Sequence, residues 1–327
     1  MSVNGVGSRL ESTITFFTNV IGGNSPARLD ISDGGLVIAP LANISPLALV
    51  HGNATLQSTL TNRGRIAPGP FAPGGANTLT IQGSLINMPT GAVEIDITRT
   101  NLDLTSDRLA VTGPATLRGE LRFTQFGPGT PPLNSSAILL TASNVTGQFD
   151  TVTGAVIGGV RFLGVEYTPT QIAARVFDAT GLQITPQPVQ TYAGFTVSAA
   201  AFAAVSSGPP QNVTGSAQWS SDASAVAQVN AAGVVTGIAP GSTTLRASFV
   251  GFNAQAPLQV LAMPANPSTQ AVSTDSAGVL GAQASGTPIL TADGRLCAFD
   301  SSASNLVTGD TNGTTDCFVK DRLTNQT

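Results

Sequence analysis

The chain has 327 residues, of which 10% are charged, 41% hydrophobic and 5% aromatic, and its formal net charge is -4. The low charge excludes a long disordered tail or a coiled coil, because both need many charged residues. The net negative charge removes the electrostatic case for nucleic acid, and with Lys320 as the only lysine a polybasic patch for an anionic membrane is absent too. No stretch approaches the roughly 20 unbroken apolar residues that a membrane-spanning helix needs. Abundant Gly, Thr, Ser and Val favour β-structure with many tight turns.

Short β-branched runs follow one another from the N-terminus to about residue 177, separated by Gly, Asn and Pro. The alternation of Val93, Ile95 and Ile97 places these three side chains on one face of a strand. Gly or Pro interrupts every window that is long enough for several helical turns. The turn–strand unit recurs about every two dozen residues, which favours a stacked β-solenoid over a sandwich or a barrel.

The region from Asn62 to Val176 contains an ordered series of short phrases. They are NRGRIAPG at 62–69, TLTIQG at 78–83, GAVEIDI at 91–97, and two longer ones at 106–121 and 139–150. In this order they resemble the passenger domains of autotransporters and related bacterial surface proteins. The resemblance implies a right-handed parallel β-helix over residues 1–177 and a place on the bacterial surface.

Residues 183–188 are interpreted as a linker, because two nearby prolines are incompatible with a central strand. The following blocks, QWSSDASAVAQVN at 218–230 and AGVVTGIAPGSTTL at 232–245, resemble the bacterial Ig-like group 2 domain of adhesins and other surface proteins. This resemblance covers residues 182–262 and implies an Ig-like β-sandwich. Trp219 is expected to be buried in the core of that sandwich.

A second linker at 263–267 leads into residues 271–327, where the runs 288–299 and 304–322 resemble a blade of TolB-like β-propellers. Asp293 and Gly294 are expected to form the hairpin turn of the blade. One blade cannot cover its own apolar faces, so the segment is interpreted as an incomplete propeller within a fragment of a longer protein. Neither a basic nor an apolar signal segment follows the first residue, which agrees with a fragment.

The two cysteines, Cys297 and Cys317, are too few for a disulfide-rich scaffold or a structural zinc site. Both are expected at inward-facing positions of adjacent blade strands, beside Phe299 and Val319. This placement suits a cross-strand disulfide, and it suits equally well two buried thiols that pack as small hydrophobic side chains.

Three ionisable residues of the N-terminal region are candidates for chemistry. His51, the only histidine, is expected to be a turn residue beside Gly52. Glu94 and Asp96 share the strand face opposite Val93, and such a pair can act on a glycosidic bond. The favoured interpretation is that both are solvated carboxylates on the outer face of an amphipathic strand.

Asp310, Asn312 and Asp316 place oxygen atoms around the turn at Gly313, as in the first half of a calcium loop. The bidentate Glu that should follow in such a loop is missing. The sequence therefore leaves two alternatives, a calcium site formed by these three residues and a plain polar turn.

These features predict an all-β, non-enzymatic structural or adhesion protein, extracellular or at the outer-membrane surface of a bacterium. A parallel β-solenoid is followed by an Ig-like sandwich and an incomplete propeller blade. Host-surface or glycan ligands are the expected partners, reached through weak multivalent contacts, and calcium is the one cofactor considered. Two alternatives stay open: a β-helical polysaccharide-degrading enzyme with Glu94 and Asp96 as catalytic residues, and a phage tail or capsid decoration protein.

Overall fold

A computed structural model describes residues 2–5, 7–11, 26–69, 76–262, 271–291 and 294–327. Within these ranges the chain is all-β, and no helix is long and apolar enough to cross a membrane. The chain divides into two compact units, Met1–Ala262 and Met263–Thr327. The expected linker at 263–267 and the Asp293 half of the expected hairpin turn lie outside the described residues.

The first unit begins with short strands separated by tight turns. In chain order they are β1 (Ser2–Asn4), β2 (Arg9–Glu11), β3 (Ala27–Ser32), β4 (Leu36–Ile44), β5 (Ala48–Gly52), β6 (Thr55–Asn62), β7 (Arg65–Pro68), β8 (Thr78–Gln82), β9 (Leu85–Asn87), β10 (Ala92–Arg99), β11 (Leu104–Ser106), β12 (Arg108–Val111), β13 (Pro114–Leu117), β14 (Glu120–Phe126), β15 (Ser136–Thr141), β16 (Asn144–Gly147), β17 (Thr151–Thr153) and β18 (Val156–Gly158).

These strands alternate between two sheets, and most of their pairing is parallel. The first sheet has the order β1-β3-β5-β7-β10-β14-β17, and all of these neighbours are parallel. The second sheet contains the strands that follow each of these in the chain, such as β4, β6, β8 and β12. We call the described residues from 2 to 153 the parallel stack, and one turn of the chain within it a rung.

The inward side chains of successive rungs form columns of aliphatic residues. In the first sheet the register partners are Leu29, Val50, Ile66, Val93, Leu121 and Val152, each at most 5% exposed. In the second sheet Val37, Leu56, Ile81 and Val111 form a similar column. Each such side chain contributes about 1.5–3 kcal/mol when it is fully buried. The β-branched alternation of the sequence is therefore the source of the core.

A corner of the stack is held by two buried asparagines on successive rungs. Asn62 Nδ2 donates to Asn87 Oδ1 at 2.6 Å, and Asn87 Nδ2 donates to the carbonyl of Arg118 at 2.5 Å. At the same corner Gly119 has a φ of +74°, and a Cβ there would lie 2.2 Å from the carbonyl oxygen of Gly91. Only glycine tolerates both the left-handed backbone and this close approach.

The parallel pairing ends before residue 177, and antiparallel strands follow. They are β19 (Arg161–Tyr167) and β20 (Gln171–Thr185), with β20 antiparallel to both β19 and β15. Only residues 168–170 connect β19 to β20, and so short a connection cannot make a parallel crossover. This corrects the expectation that all residues up to 177 belong to the parallel stack.

Strand β20 also corrects the expected linker at 183–188. It continues to Thr185 and pairs with a strand of the next region, with Ile184 opposite Ala201. The prolines Pro186 and Pro188 follow the last paired residue, so they remove no hydrogen bond from the ladder. The expected boundary between 177 and 182 therefore falls inside a continuous strand.

The remaining strands of the first unit surround a second core. They are β21 (Val189–Tyr192), β22 (Thr196–Ser198), β23 (Ala200–Val205), β24 (Gln211–Asn212), β25 (Gln218–Ser221), β26 (Ala227–Val229), β27 (Val234–Gly237), β28 (Gly241–Phe249) and β29 (Phe252–Leu261). Two sheets form, with the orders β21-β29-β28-β25 and β22-β27-β26. Phe162 and Phe177, from β19 and β20, belong to this core, where the rings of Phe162 and Phe249 meet edge to face at 5.1 Å.

Trp219 lies at the edge of the second core and is half-buried, whereas the sequence predicts a buried core residue. It belongs to β25, which is the last strand of its sheet. Its indole Nε1 donates a hydrogen bond to the carbonyl of Thr214 at 3.0 Å. An edge position provides this polar partner while most of the ring still packs on apolar neighbours.

In its described residues the second unit contains three antiparallel strands, β30 (Ser285–Leu290), β31 (Leu296–Ser301) and β32 (Asp316–Asp321). Cys297 is buried, but Cys317 is exposed and lies opposite Asp300 rather than Cys297. Val319 is also exposed. The expected inward placement of Cys317 and Val319 is therefore wrong by one residue, and a shift of one residue moves a side chain to the other face of a strand.

Lys320 is only 1% exposed and points inward from β32. Its Nζ donates to the carbonyls of Asp275 (2.8 Å) and Asn325 (2.9 Å) and to the hydroxyl of Thr327 (3.1 Å). Burial lowers the pKa of this amine, and the charge of Asp275 opposes that effect. A buried ammonium is tolerated because each of its protons has an acceptor, and it ties two distant segments of this unit together.

Candidate functional site

The outer face of the first parallel sheet carries the paired carboxylates that the sequence singles out. Glu94 is 5% exposed, although the favoured expectation is a solvated carboxylate. Arg65 Nε donates to Glu94 Oε1 at 2.8 Å, and Arg65 Nη2 donates to Glu94 Oε2 at 2.5 Å. Arg122 Nη1 donates to Glu94 Oε1 at 2.7 Å from the other side. The two long arginine side chains cover the carboxylate, and this contact corrects the expectation of solvation.

The same charged network continues onto the next two rungs. Arg122 Nη2 donates to Glu120 Oε2 at 2.7 Å, and the hydroxyl of Thr153 donates to Glu120 Oε1 at 2.6 Å. The hydrogen bond to Glu120 raises the pKa of Arg122, so its guanidinium stays charged. We call the residues Arg65, Glu94, Glu120, Arg122 and Thr153 the ion-pair ladder, because their bonds connect rung to rung.

His51 lies on the outer face of β5 and is 7% exposed, so it is not the expected turn residue. Its Nδ1 lies 3.1 Å from Asp30 Oδ1 and 3.3 Å from Arg28 Nη2. Burial lowers the pKa of His51, with the charge of Arg28 acting in the same direction and the bond to Asp30 opposing both. Through these contacts the imidazole joins neighbouring rungs.

Asp96, two residues after Glu94, lies in a different electrostatic environment. Burial raises the pKa of Asp96 to about 6, and the charges of Asp107 and Glu94 act in the same direction. A hydrogen bond from Thr124 opposes them. No arginine contributes to this shift, which separates Asp96 from its neighbour on the same strand face.

Asp107 is 1% exposed and accepts two hydrogen bonds from Asn77, one from the backbone N–H at 2.8 Å and one from the side-chain amide at 3.0 Å. Burial raises the pKa of Asp107, and the bonds from Asn77 oppose the rise. Its backbone N–H donates to the carbonyl of Asp96 at 3.0 Å. Asp96 and Asp107 are therefore linked by this backbone bond, and the charge of Asp107 disfavours the ionised form of Asp96.

The chemistry available to the two paired carboxylates is unequal. Both oxygens of Glu94 accept charge-assisted bonds from arginines, so the lone pairs of this carboxylate are engaged. Asp96 exchanges a proton close to neutral pH, which suits a general acid. A glycosidase would need Glu94 to leave its arginines before it attacked a sugar or a water molecule.

The expected calcium residues lie in an exposed turn of the second unit. Asn312 Nδ2 donates to Asp316 Oδ2 at 3.0 Å, and Asn312 Oδ1 accepts a bond from the N–H of Thr314 at 2.9 Å. The structure thus brings Asn312 and Asp316 together but gives no contact of theirs to Asp310. The described residues contain no group of three or more His, Cys, Asp or Glu that would hold a metal ion. The calcium site stays a prediction.

Sequence reasoning missed the arginines of the ion-pair ladder. Arg65 and Arg122 lie 29 and 28 residues from Glu94 along the chain, which is about one rung in each direction. The available signal was this spacing, since residues one rung apart become neighbours in a parallel stack. The spacing identifies neighbours only when the register of the strands is known. The register does not follow from the sequence, because the length of a rung varies from 16 residues (Val50 to Ile66) to 31 residues (Leu121 to Val152).

No family model and no curated protein matches this chain. Among solved structures it is similar to surface layer protein SbsC, domains 1-6, with 16% sequence identity and a TM-score of 0.25. The similarity covers 52% of this chain and 29% of that one, so the chain spans less than a third of that structure.

Proposed function

We propose that this chain is a non-enzymatic structural and adhesion part of a bacterial cell-surface protein, extracellular or at the outer-membrane surface. Its shaft is a β-solenoid formed by the parallel stack. The ion-pair ladder is the observation that carries the proposal. Its charged side chains bond from one rung to the next, through Arg65 to Glu94, Glu94 to Arg122, and Glu120 to Thr153. These bonds hold successive rungs of the stack together, as a rigid shaft requires.

The interior of the stack supports the same function. The aliphatic columns repeat from rung to rung, and the buried side chains of Asn62 and Asn87 join two successive rungs. In such a quasi-one-dimensional arrangement each rung is stabilised by its neighbours. Further rungs extend the reach of the protein without a new core, as a spacer between a cell and its target requires.

The finer assignments of the two other regions belong to the same proposal. Residues 182–262 are proposed to be an Ig-like module, which the two sheets around the core at Phe249 and Leu258 support. Residues 271–327 are proposed to be one propeller blade, which the antiparallel order β30-β31-β32 supports. Host-surface molecules or glycans are the proposed partners of the protein.

Two assays test this function. Beads coated densely with the protein are expected to be retained on surfaces that carry host glycoproteins, while single molecules bind them weakly, because many weak contacts add up. A panel of soluble polysaccharides is expected to keep its chain length after long incubation with the protein. Beads that wash off every surface would contradict the proposed adhesion.

A polysaccharide-degrading enzyme is the second candidate, favoured by one observation: Asp96, with a pKa raised to about 6, is two residues from Glu94, which is paired with Arg65. If a polysaccharide is shortened, the Asp96→Asn and Asp222→Asn variants decide the matter. Asp222 is an exposed aspartate paired with Arg246. Hydrolysis that disappears in Asp96→Asn and persists in Asp222→Asn would establish the enzyme and overturn the non-enzymatic proposal.

A further inference from the structure

A cleft of about 440 Å³ lies where the last rungs of the parallel stack meet strands β23 and β24. We call it the junction cleft. Gln148 and Phe149 line it on one side, Tyr167 comes from β19, and Phe202 and Asn212 come from β23 and β24. Its volume falls within the range of small-molecule sites. A second hollow shares the lining residues Gln148, Phe149 and Asn212 with it, and we call the two together the groove.

The walls of the junction cleft are held by buried hydrogen bonds. Gln211 is only 6% exposed, and its Oε1 accepts from the N–H of Val165 while its Nε2 donates to the carbonyl of Pro209, both at 3.0 Å. The hydroxyl of Tyr167 accepts from the N–H of Phe149 at 3.3 Å. These bonds fix the walls from both sides of the junction before any ligand arrives. A preformed site of this kind loses little conformational entropy on binding.

The charges around the groove are neutralised within the protein. Glu166 is paired with Arg175 at 2.7 Å, and Asp150 is paired with Arg118 at 2.9 Å. Asp150 also accepts a bond from the N–H of Gly119 at 2.6 Å. A charged ligand would have to compete with these pairs, so the groove favours a neutral one.

We propose that the junction cleft binds a neutral saccharide, as one sugar or two of a glycan chain. The aromatic side chains of Tyr167 and Phe202 offer apolar surface for the C–H patches of a sugar ring. The amides of Gln148 and Asn212 supply donors and acceptors for its hydroxyl groups, each of which both donates and accepts. This inference rests on the proposed adhesion and names its ligand class and its site.

The test is NMR titration of the whole chain with lactose, cellobiose, mannobiose, chitobiose and maltotriose, each up to 10 mM. At least one saccharide is expected to shift the backbone amides of residues 148–149, 165–168 and 211–212 with a dissociation constant below 10 mM. Gln148→Ala removes an exposed side chain, and Phe202→Leu keeps apolar volume while it removes the ring. Each variant is expected to weaken binding at least tenfold. Gln228→Ala, an exposed glutamine of β26 outside the cleft, is the matched control and is expected to bind as the wild type does.

Three results would overturn the inference. One is that no saccharide shifts these amides at 10 mM, and another is equal affinity in Gln148→Ala and in the wild type. The third is that a proline decamer, and no saccharide, shifts the same amides, since the cleft would then be a peptide site. Failure here is separable from failure of the proposed adhesion. Beads coated with the Gln148→Ala variant and still retained as the wild type is would leave adhesion intact and exclude this cleft.

Discussion

Replacement of Asp96 by asparagine is expected to stabilise the protein at neutral pH. The native carboxyl has a pKa of about 6, against an ordinary value of 3.8, because burial and the charges of Asp107 and Glu94 disfavour its ionised form. Above pH 6 the folded protein therefore holds an unfavourable charge. Asparagine is close to aspartate in shape and carries no charge, so it avoids this cost.

The shift sets the size and the sign of the effect. A difference of about 2 pKa units corresponds to about 3 kcal/mol, and solvent screening at the partly exposed Asp96 reduces this to about 1–2 kcal/mol. Between pH 4 and pH 6 the folded state keeps a proton that the unfolded state has lost. The free energy of unfolding of the wild type therefore falls as pH rises through this window. At pH 3.5 both states are largely protonated at this position, and the variant should match the wild type.

Urea denaturation of both proteins at pH 3.5, 5, 6 and 7.5 measures the difference directly. The Asp96→Asn variant is expected to gain about 1–2 kcal/mol on the wild type by pH 7.5, most of it above pH 4. Asp222→Asn is the control of opposite sign, because the hydrogen bond from Arg246 lowers the pKa of Asp222 and stabilises the fold above pH 4. A variant of Asp96 that is less stable than the wild type at pH 7.5 would refute the reasoning.

Three further predictions concern the interior of the stack, the second core and the second unit. Asn62→Ala is expected to cost about 2–3 kcal/mol in urea denaturation, because it leaves the buried Oδ1 of Asn87 without its donor; a loss below 0.5 kcal/mol would contradict it. Trp219→Ala is expected to cost about 2–3 kcal/mol in the same assay, below the 3–5 kcal/mol of a fully buried aromatic residue, and an unchanged midpoint would count against the packed position. Calcium is expected to slow amide exchange in residues 310–316, by binding the folded form only, and to have no effect in Asp316→Asn; equal protection with and without calcium would leave a plain polar turn.

The sequence pattern predicts which residues form the strands of the stack better than it predicts which residues face each other across rungs. Alternation at Val93, Ile95 and Ile97 is enough to assign a strand and its inner face, and the structure confirms that all three are buried. The residues that face each other across rungs cannot be derived in the same way, because the length of a rung varies. The sequence therefore predicts a solvated Glu94, whereas the register places its carboxylate between Arg65 and Arg122.

The same limit explains the errors at the ends of elements. Cys317 of β32 is expected to face inward, but Phe318 and Lys320 are the inward residues, so the alternation is shifted by one position. No local signal in this strand shows which of the two alternating sets faces inward. His51 stands before a glycine, which favours a turn, but strand β5 continues through it, and the contacts with Asp30 and Arg28 help to bury it. Tertiary contacts decide both positions.

An engineered disulfide between register partners tests the register of the parallel stack most directly. Thr116 and Thr146 are exposed partners on β13 and β16, and their hydroxyl oxygens are 3.1 Å apart. Adjacent strands bring such Cα atoms to about 4.8 Å, within the range of a disulfide, whereas Thr116 and Asn144 are diagonal at about 8 Å and beyond it. With both native cysteines changed to serine, the Thr116→Cys/Thr146→Cys protein is expected to form an intramolecular disulfide under mild oxidation, and Thr116→Cys/Asn144→Cys is expected to stay reduced. Bridging of the diagonal pair in place of the direct one would contradict the parallel register and the solenoid proposed from it.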